Sequence, residues 1–283
     1  MSTPKYFALA GERPYKSGNP CDCIAKNTIS VMDAGYYKGC IYGDASWLLA
    51  PGRCDGLAKH VSDELHVFIG GDPGDPENLN AEISFRIEND TLTLTKTCFV
   101  FVPGGAAHGD FEIKSISKPV FYYVCHLNAD EYEEQPAEPT AAPGSYTGNV
   151  VEKYAPVDGK MPSAPEGFLT LLLWIDDNKL HGAPYMEAVW FNAVNDTGPP
   201  EHDHDFDEFI GFFGSDPDNP DDLGGEIGMN VDGEMFYFKK SCLIYIPRGV
   251  AHSPILVPKL ERPILHFSGG NGGDYIRKGT DEF

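Results

Sequence analysis

Between positions 201 and 208 the chain reads Glu201-His202-Asp203-His204-Asp205-Phe206-Asp207-Glu208, and about forty positions later Pro247-Arg248-Gly249-Val250-Ala251-His252. Three imidazoles and one carboxylate are a donor set for a first-row divalent ion. His202, His204 and Glu208 have one parity, so an extended strand places them on one face, and an antiparallel return brings His252 to them. Ligands anchored on strands keep their geometry and leave coordination positions open to water, substrate or oxygen. We therefore expect one divalent transition metal, with iron, manganese, nickel, cobalt and zinc all compatible with the donors.

The surrounding residues suggest what such a centre would face. By parity Phe206, Ile210 and Phe212 point inward with the ligands, and Tyr185, Trp190, Met229 and His266 lie on apolar runs able to line the same space. These side chains would form an aromatic, mostly apolar cavity for a small organic substrate. His266 is the candidate for proton movement or for orienting a ligand, and Arg248 the candidate anchor for a substrate carboxylate.

The elements that must position these residues occur twice. Asp72-Pro73, Pro76, Leu79 and Glu82-Ile83 return 144 positions later as Asp216-Pro217, Pro220, Leu223 and Glu226-Ile227. The same interval carries Cys98 to Cys242, Pro103 to Pro247, Gly105 to Gly249 and His108 to His252. We read two homologous domains, 1–127 and 149–283, joined by a surface linker, 128–148, whose Glu, Pro, Ala and Gly content cannot order itself alone. In the first copy the four ligand positions read Ala58, His60, Glu64 and His108, and His66 shares the face of His60 and Glu64. Two imidazoles and a carboxylate still make a facial triad, so His60, Glu64, His108 and His66 form a candidate second, incomplete metal site. The expected division of labour is chemistry in the second copy and support in the first.

Short apolar runs broken by Gly, Pro, Asn and Asp, such as Thr91 to Thr95 and Cys98 to Val102, predict strands, and 23 Pro with 31 Gly would interrupt long helices. An all-β sandwich or barrel in each half follows. A formal charge of -22 opposes nucleic acid and anionic membrane as partners. The longest apolar run, Phe168 to Ile175, falls far short of the ~20 residues of a spanning helix, and the start lacks a signal-peptide core, so a cytoplasmic protein is expected. Seven scattered cysteines predict free thiols, and Cys21-x-Cys23, with no second pair, reads as loop rather than as a soft-metal site.

Taken together, the His-x-His pair at 202 and 204 with Glu208, then Pro247, Gly249 and His252, resembles the two motifs of the cupin superfamily, and the repeat makes the resemblance one to a bicupin. Asp196 and Leu256 stand where those motifs usually carry Gly and Asn. The resemblance implies two tandem double-stranded β-helix (jelly-roll, cupin) barrels, a mononuclear metal, a small-molecule substrate, and a homodimer as an assembly open to it. Among activities, an oxygenase (dioxygenase-like) is expected first, since open positions on a redox-active metal accept both a bidentate enol or diol and oxygen. The alternatives are a metal-assisted isomerase, decarboxylase or lyase, or a non-catalytic ligand-binding or storage bicupin with a structural metal.

Overall fold

The computed structural model describes residues 5–12, 24–156 and 162–273, so Cys21 and Cys23 lie outside the described residues. Every regular element described is a strand, and no described helix is long and apolar enough to cross a membrane.

Burial along each strand reports its layer. Asp90–Lys96 alternates buried and exposed residues, with Leu92 and Leu94 inward and Thr91 and Thr93 outward, the pattern of a sheet with one wet face. Cys98–Val102 and Glu64–Gly70 are buried at every position, as strands covered on both faces must be. These differences arrange the described strands in four antiparallel layers. The first half pairs an outer five-stranded sheet with an inner six-stranded one, and the second half an outer three-stranded sheet with an inner six-stranded one.

Within the first half, Phe68, Val100 and Val124 of the inner sheet pack on Ile83, Phe85 and Phe111 of the outer. The second half repeats this with Ile210, Phe212 and Ile244 on Ile227, Met229 and Val257. Between the halves a third core joins the two inner sheets, where Trp47, Val67, Phe99, Phe121 and Tyr123 meet Trp190, Phe209, Phe213 and Phe267.

The expected closed barrels are corrected here. Each described sheet is open, running from one edge strand to another. The halves are jelly-roll-like sandwiches whose two sheets face each other across a core without being hydrogen-bonded into a ring. Because alternation specifies only which residues face inward, it does not distinguish two facing sheets from a closed one.

The strands also trade places across the expected boundaries. Phe7–Leu9 pairs with Cys242–Ile246 in the second half's inner sheet, and Val150–Val151 pairs with Cys98–Val102 in the first half's. The linker is largely exposed yet fastened. Gln135 and Pro136 pair with Lys59 and Ala58. Glu88 accepts N–H groups from Ala107, Thr140 and Ala141, and Asp90 accepts those of Gly144 and Tyr146.

Although desolvation pulls the Glu88 carboxyl upward, these N–H donors outweigh it and hold its pKa below the ordinary value. A depressed pKa in the folded state stabilises above the unfolded value of ~4.3 and stops doing so as pH falls through the folded value. Pepsin is therefore expected to cut residues 138–148 faster as the pH is lowered below about 4, and Glu88→Gln to show faster cutting already at neutral pH with a neutral protease. An unchanged cutting rate in both would refute the clamp.

One glycine pair shows how tightly the repeat is packed. A Cβ at Gly70 would sit 2.0 Å from the Asn78 carbonyl oxygen, and one at Gly214 2.0 Å from that of Asp222, so the chain crosses itself identically in both halves. Gly214→Ala is expected to destabilise by about 1–3 kcal/mol, lowering the melting midpoint by several degrees. Differential scanning calorimetry checks this.

Candidate metal centres and adjoining cavities

In the second half the two sequence motifs meet edge to edge. His202 and His252 form an antiparallel bridge, N–H to carbonyl at 3.1 and 2.9 Å, and the Gly249 N–H donates to the His204 carbonyl at 2.8 Å. Asp207 fixes the turn between them by accepting the Arg248 N–H and guanidinium, both at 3.0 Å. The result places donor atoms of His202, His204 and His252 within 4.8 Å of one another. Glu208 Oε2 lies 2.9 Å from His252 Nε2 and 3.8 Å from His204 Nε2.

Side-chain orientation suits a metal. Nδ1 of His202 meets the Pro200 carbonyl at 2.7 Å and Nδ1 of His252 the Val250 carbonyl at 3.1 Å. Because carbonyls only accept, each Nδ1 carries a proton and each Nε2 is the ring nitrogen turned inward, where it can bond Glu208 when protonated or a metal when not. Glu208 Oε2 is buried, within hydrogen-bonding distance of His252 Nε2. Desolvation raises the Glu208 pKa, but the charges of His252, His204 and His202 outweigh it and keep the carboxylate ionised. Inward ring nitrogens and an ionised carboxylate converging in a buried place fit a divalent ion.

The first half repeats the construction with changed parts. Ala58 pairs with His108 as His202 does with His252, and the Gly105 N–H donates to the His60 carbonyl at 2.7 Å as Gly249 does to His204. His60, Glu64 and His108 again lie within 4.8 Å of one another. His66 joins them, its Nε2 3.3 Å from Glu64 Oε2 and its Nδ1 2.9 Å from the Tyr122 hydroxyl.

A fourth imidazole, His126, also faces Glu64 from the directly paired strand position, at 3.8 Å. Desolvation lowers the pKa values of His60, His66 and His126, the last to about 4, so they are neutral at neutral pH. At His108 the same burial is outweighed by Glu64, and the pKa is raised. Sequence reading missed His126 because the motifs do not include it. Its signal was the alternation Tyr122, Val124, His126 on one strand face.

Each half has a cavity. That of the first half, about 250 Å³, is lined by His60, Glu64, His66, His108 and Tyr122 and bordered by Tyr132 and Glu134 of the linker. That of the second half, about 320 Å³, has Trp174, Tyr185, Glu187, Phe191 and His266 around it and is lined by none of His202, His204, Glu208 and His252, although Pro200, which holds His202 Nδ1, is in its wall. No lysine or arginine lines either cavity among the described residues.

His266 is held by the Gly211 carbonyl at 3.1 Å and stacked between Phe191 and Phe212, and burial lowers its pKa to about 4. Of the candidate pocket residues, Tyr185 reaches the cavity. Ile210, Phe212 and Met229 are packed in the second half's core. Phe206 stacks on His204 with centroids 4.6 Å apart. Trp190 is in the core between the halves, because five positions from Tyr185 on one strand means the opposite face. Arg248 is exposed and committed to Asp207, away from both cavities, so it is placed to hold the motif turn rather than a substrate carboxylate.

Two such units in one chain, each gathering imidazoles around a glutamate at matching strand positions, define the bicupin fold. Among solved structures the chain is similar to oxalate decarboxylase from Bacillus subtilis, with a TM-score of 0.61 and 12% identity over 98% of this chain and 78% of that one. It is also similar to AerE from Microcystis aeruginosa, with a TM-score of 0.52 and 12% identity over 94% of this chain and 98% of that one. At such identity the likeness is one of fold. A scan of protein-family models finds no match, and a search of curated proteins finds none either.

Proposed function

We propose that the chain is a metal-dependent bicupin enzyme acting on a small carboxylate-bearing molecule in the cavity of its second half, by non-oxidative chemistry of the decarboxylase type. One observation carries the reading. Three buried imidazoles with inward Nε2 atoms and the ionised Glu208 stand in the same half as a cavity whose volume suits a small organic acid, and the two are linked through Pro200, which lines the cavity and whose carbonyl holds His202 Nδ1. The resemblance in fold to an oxalate decarboxylase supports decarboxylation over the oxygenase expected from the ligand set alone.

His202, His204, His252 and Glu208 would hold the ion, and a bound divalent metal would supply Lewis acidity at a substrate carbonyl next to the carbon that loses CO2. The Pro200 and Val250 carbonyls keep two of the rings in the ligating tautomer. His266, neutral and with Nδ1 committed to Gly211, borders the same cavity. Glu187, hydrogen-bonded by the Tyr154 hydroxyl at 2.8 Å, is placed to deliver a proton to the carbon that keeps the electron pair when the C–C bond breaks and CO2 leaves. Trp174, Tyr185 and Phe191 shield that carbon from water. The carbon that keeps the electron pair needs a neighbouring carbonyl to take up the charge, which favours 3-oxo acids, whose carbonyl lies one carbon beyond the carboxyl-bearing one.

The test is CO2 release and oxygen uptake measured together on metal-loaded protein across 3-oxo acids, with 2-oxo acids and oxalate for comparison. Release of CO2 without oxygen uptake is expected. Glu187→Gln should lower turnover about 10²–10⁴-fold. Oxygen consumed mole for mole with substrate would replace the proposal with an oxygenase.

A further inference from the structure

We propose that Asn230 is a positioning residue for the second half's histidines, clasping together the two segments that carry His202 and His252. It lies on Asp222–Val231, a strand that pairs with His252–Leu260 and sets Val231 opposite His252. Its side chain is buried, and one amide nitrogen serves both segments. Nδ2 donates to Glu201 Oε2 at 2.6 Å and to the Ser253 carbonyl at 2.8 Å. Glu201 precedes His202, and Ser253 follows His252. The clasp therefore brackets the bridge in which His202 and His252 exchange N–H groups and carbonyls. Carboxylate and carbonyl only accept, which fixes the amide nitrogen toward them, and its two hydrogens allow both bonds at once. The bond to the carboxylate is charge-assisted and the stronger of the two.

Comparing the two copies shows why a side chain is needed there. In the first half Gly52–Lys59 runs along His108–Ile116 and pairs with it from Gly52 to Ala58, so a main-chain ladder holds the segment leading to His60. Among the described residues, the matching stretch of the second half pairs with its neighbour strand only through two bridges, Asn195 with Val257 and His202 with His252. Pro199 and Pro200 lie between them, cannot donate to a ladder, and line the cavity instead. Opening the ladder makes the cavity wall and weakens the hold on His202. Asn230 restores an attachment one residue ahead of that ring. Because the Pro200 carbonyl holds His202 Nδ1, fixing Glu201 also steadies the orientation of the imidazole. The residue 144 positions earlier is Arg86, which donates to the Glu88 carbonyl at 2.7 Å and to Asp110 Oδ2 at 3.1 Å. It ties down the chain just past His108, while the ladder holds the other segment.

The clasp is testable without metal, and its consequence for metal binding rests on the reading of the second half as a metal centre. Asn230→Ala removes the side chain, and Asn230→Asp keeps its shape and removes the donor. Amide hydrogen exchange of the full chain, followed by NMR, should become at least about tenfold faster at His202 and His252 in both variants, with exchange at Phe85 and Ile113 of the first half unchanged. Adding Glu201→Gln to Asn230→Asp exchanges donor and acceptor and should recover part of the lost protection. In a His60→Ala/His108→Ala background, which confines cobalt(II) to the second half, Asn230→Asp should weaken cobalt binding about 10–100-fold and alter the visible absorption of the bound ion. Unchanged exchange at His202 and His252 in both variants, or full cobalt affinity despite faster exchange, would overturn the proposal. Faster exchange in the variants of a chain whose second half takes no cobalt even with Asn230 in place would overturn the metal reading and leave the clasp standing.

Discussion

Glu208→Ala empties the second half's centre: the variant is expected to retain less than about a hundredth of the wild-type metal affinity there, since loss of a partner merely orienting a ligand already costs about 10–100-fold. Glu208 is the only carboxylate among the candidate ligands of that half, and its removal takes away the carboxylate oxygen 2.9 Å from His252 Nε2. Glu208→Gln keeps the volume and removes the charge, so it should fall between the two. Metal content by mass spectrometry after dialysis, with circular dichroism to establish folding, gives the answer. A folded Glu208→Ala chain that keeps a full complement of metal in its second half would remove Glu208 from the ligand set.

Trp190→Ala is the second large effect. Trp190 is fully buried in the core between the halves, among side chains contributed by both inner sheets. Truncating a buried aromatic to alanine destabilises by about 3–5 kcal/mol, through lost transfer energy and the cavity left behind. In a chain of this size each kcal/mol moves the melting midpoint by roughly 2–4 °C, so a fall near 10 °C is expected. Since that core belongs to both halves, calorimetry should show them losing stability together. A midpoint within a degree or two of wild type would mean that this core contributes far less than its burial indicates.

The all-β class, the duplication and the convergence of His202, His204, Glu208 and His252 were legible because each rests on a local rule: turn residues between short apolar runs, a constant interval, and strand parity. Parity misled only where it was left unapplied. Tyr185 and Trp190 were assigned to one cavity although an odd separation puts them on opposite faces. Open sheets instead of barrels could not be read, because hydrogen bonding between distant strands leaves no mark in the alternation. His126 was invisible for another reason. Subtracting the repeat interval finds imidazoles lost from the second copy's pattern, but not one that arose where that copy has glycine. Arg248 shows the limit of composition, since its charge is occupied by Asp207, a partner only the folded turn reveals.

The reciprocal placement of Phe7–Leu9 and Val150–Val151 has a consequence for assembly. Phe7 pairs with Ile244 and Val150 with Val100, which are equivalent residues of the two copies, so the chain carries an approximate two-fold exchange of edge strands. That is the geometry of a domain-swapped dimer of single units, here tied into one polypeptide by residues 128–148. The self-complementary surface of such a unit, edge strand and apolar face together, is already used inside the monomer. A homodimer of the full chain must therefore be built on a different surface, and separating the halves would expose two unpaired sheet edges, each an invitation to aggregate.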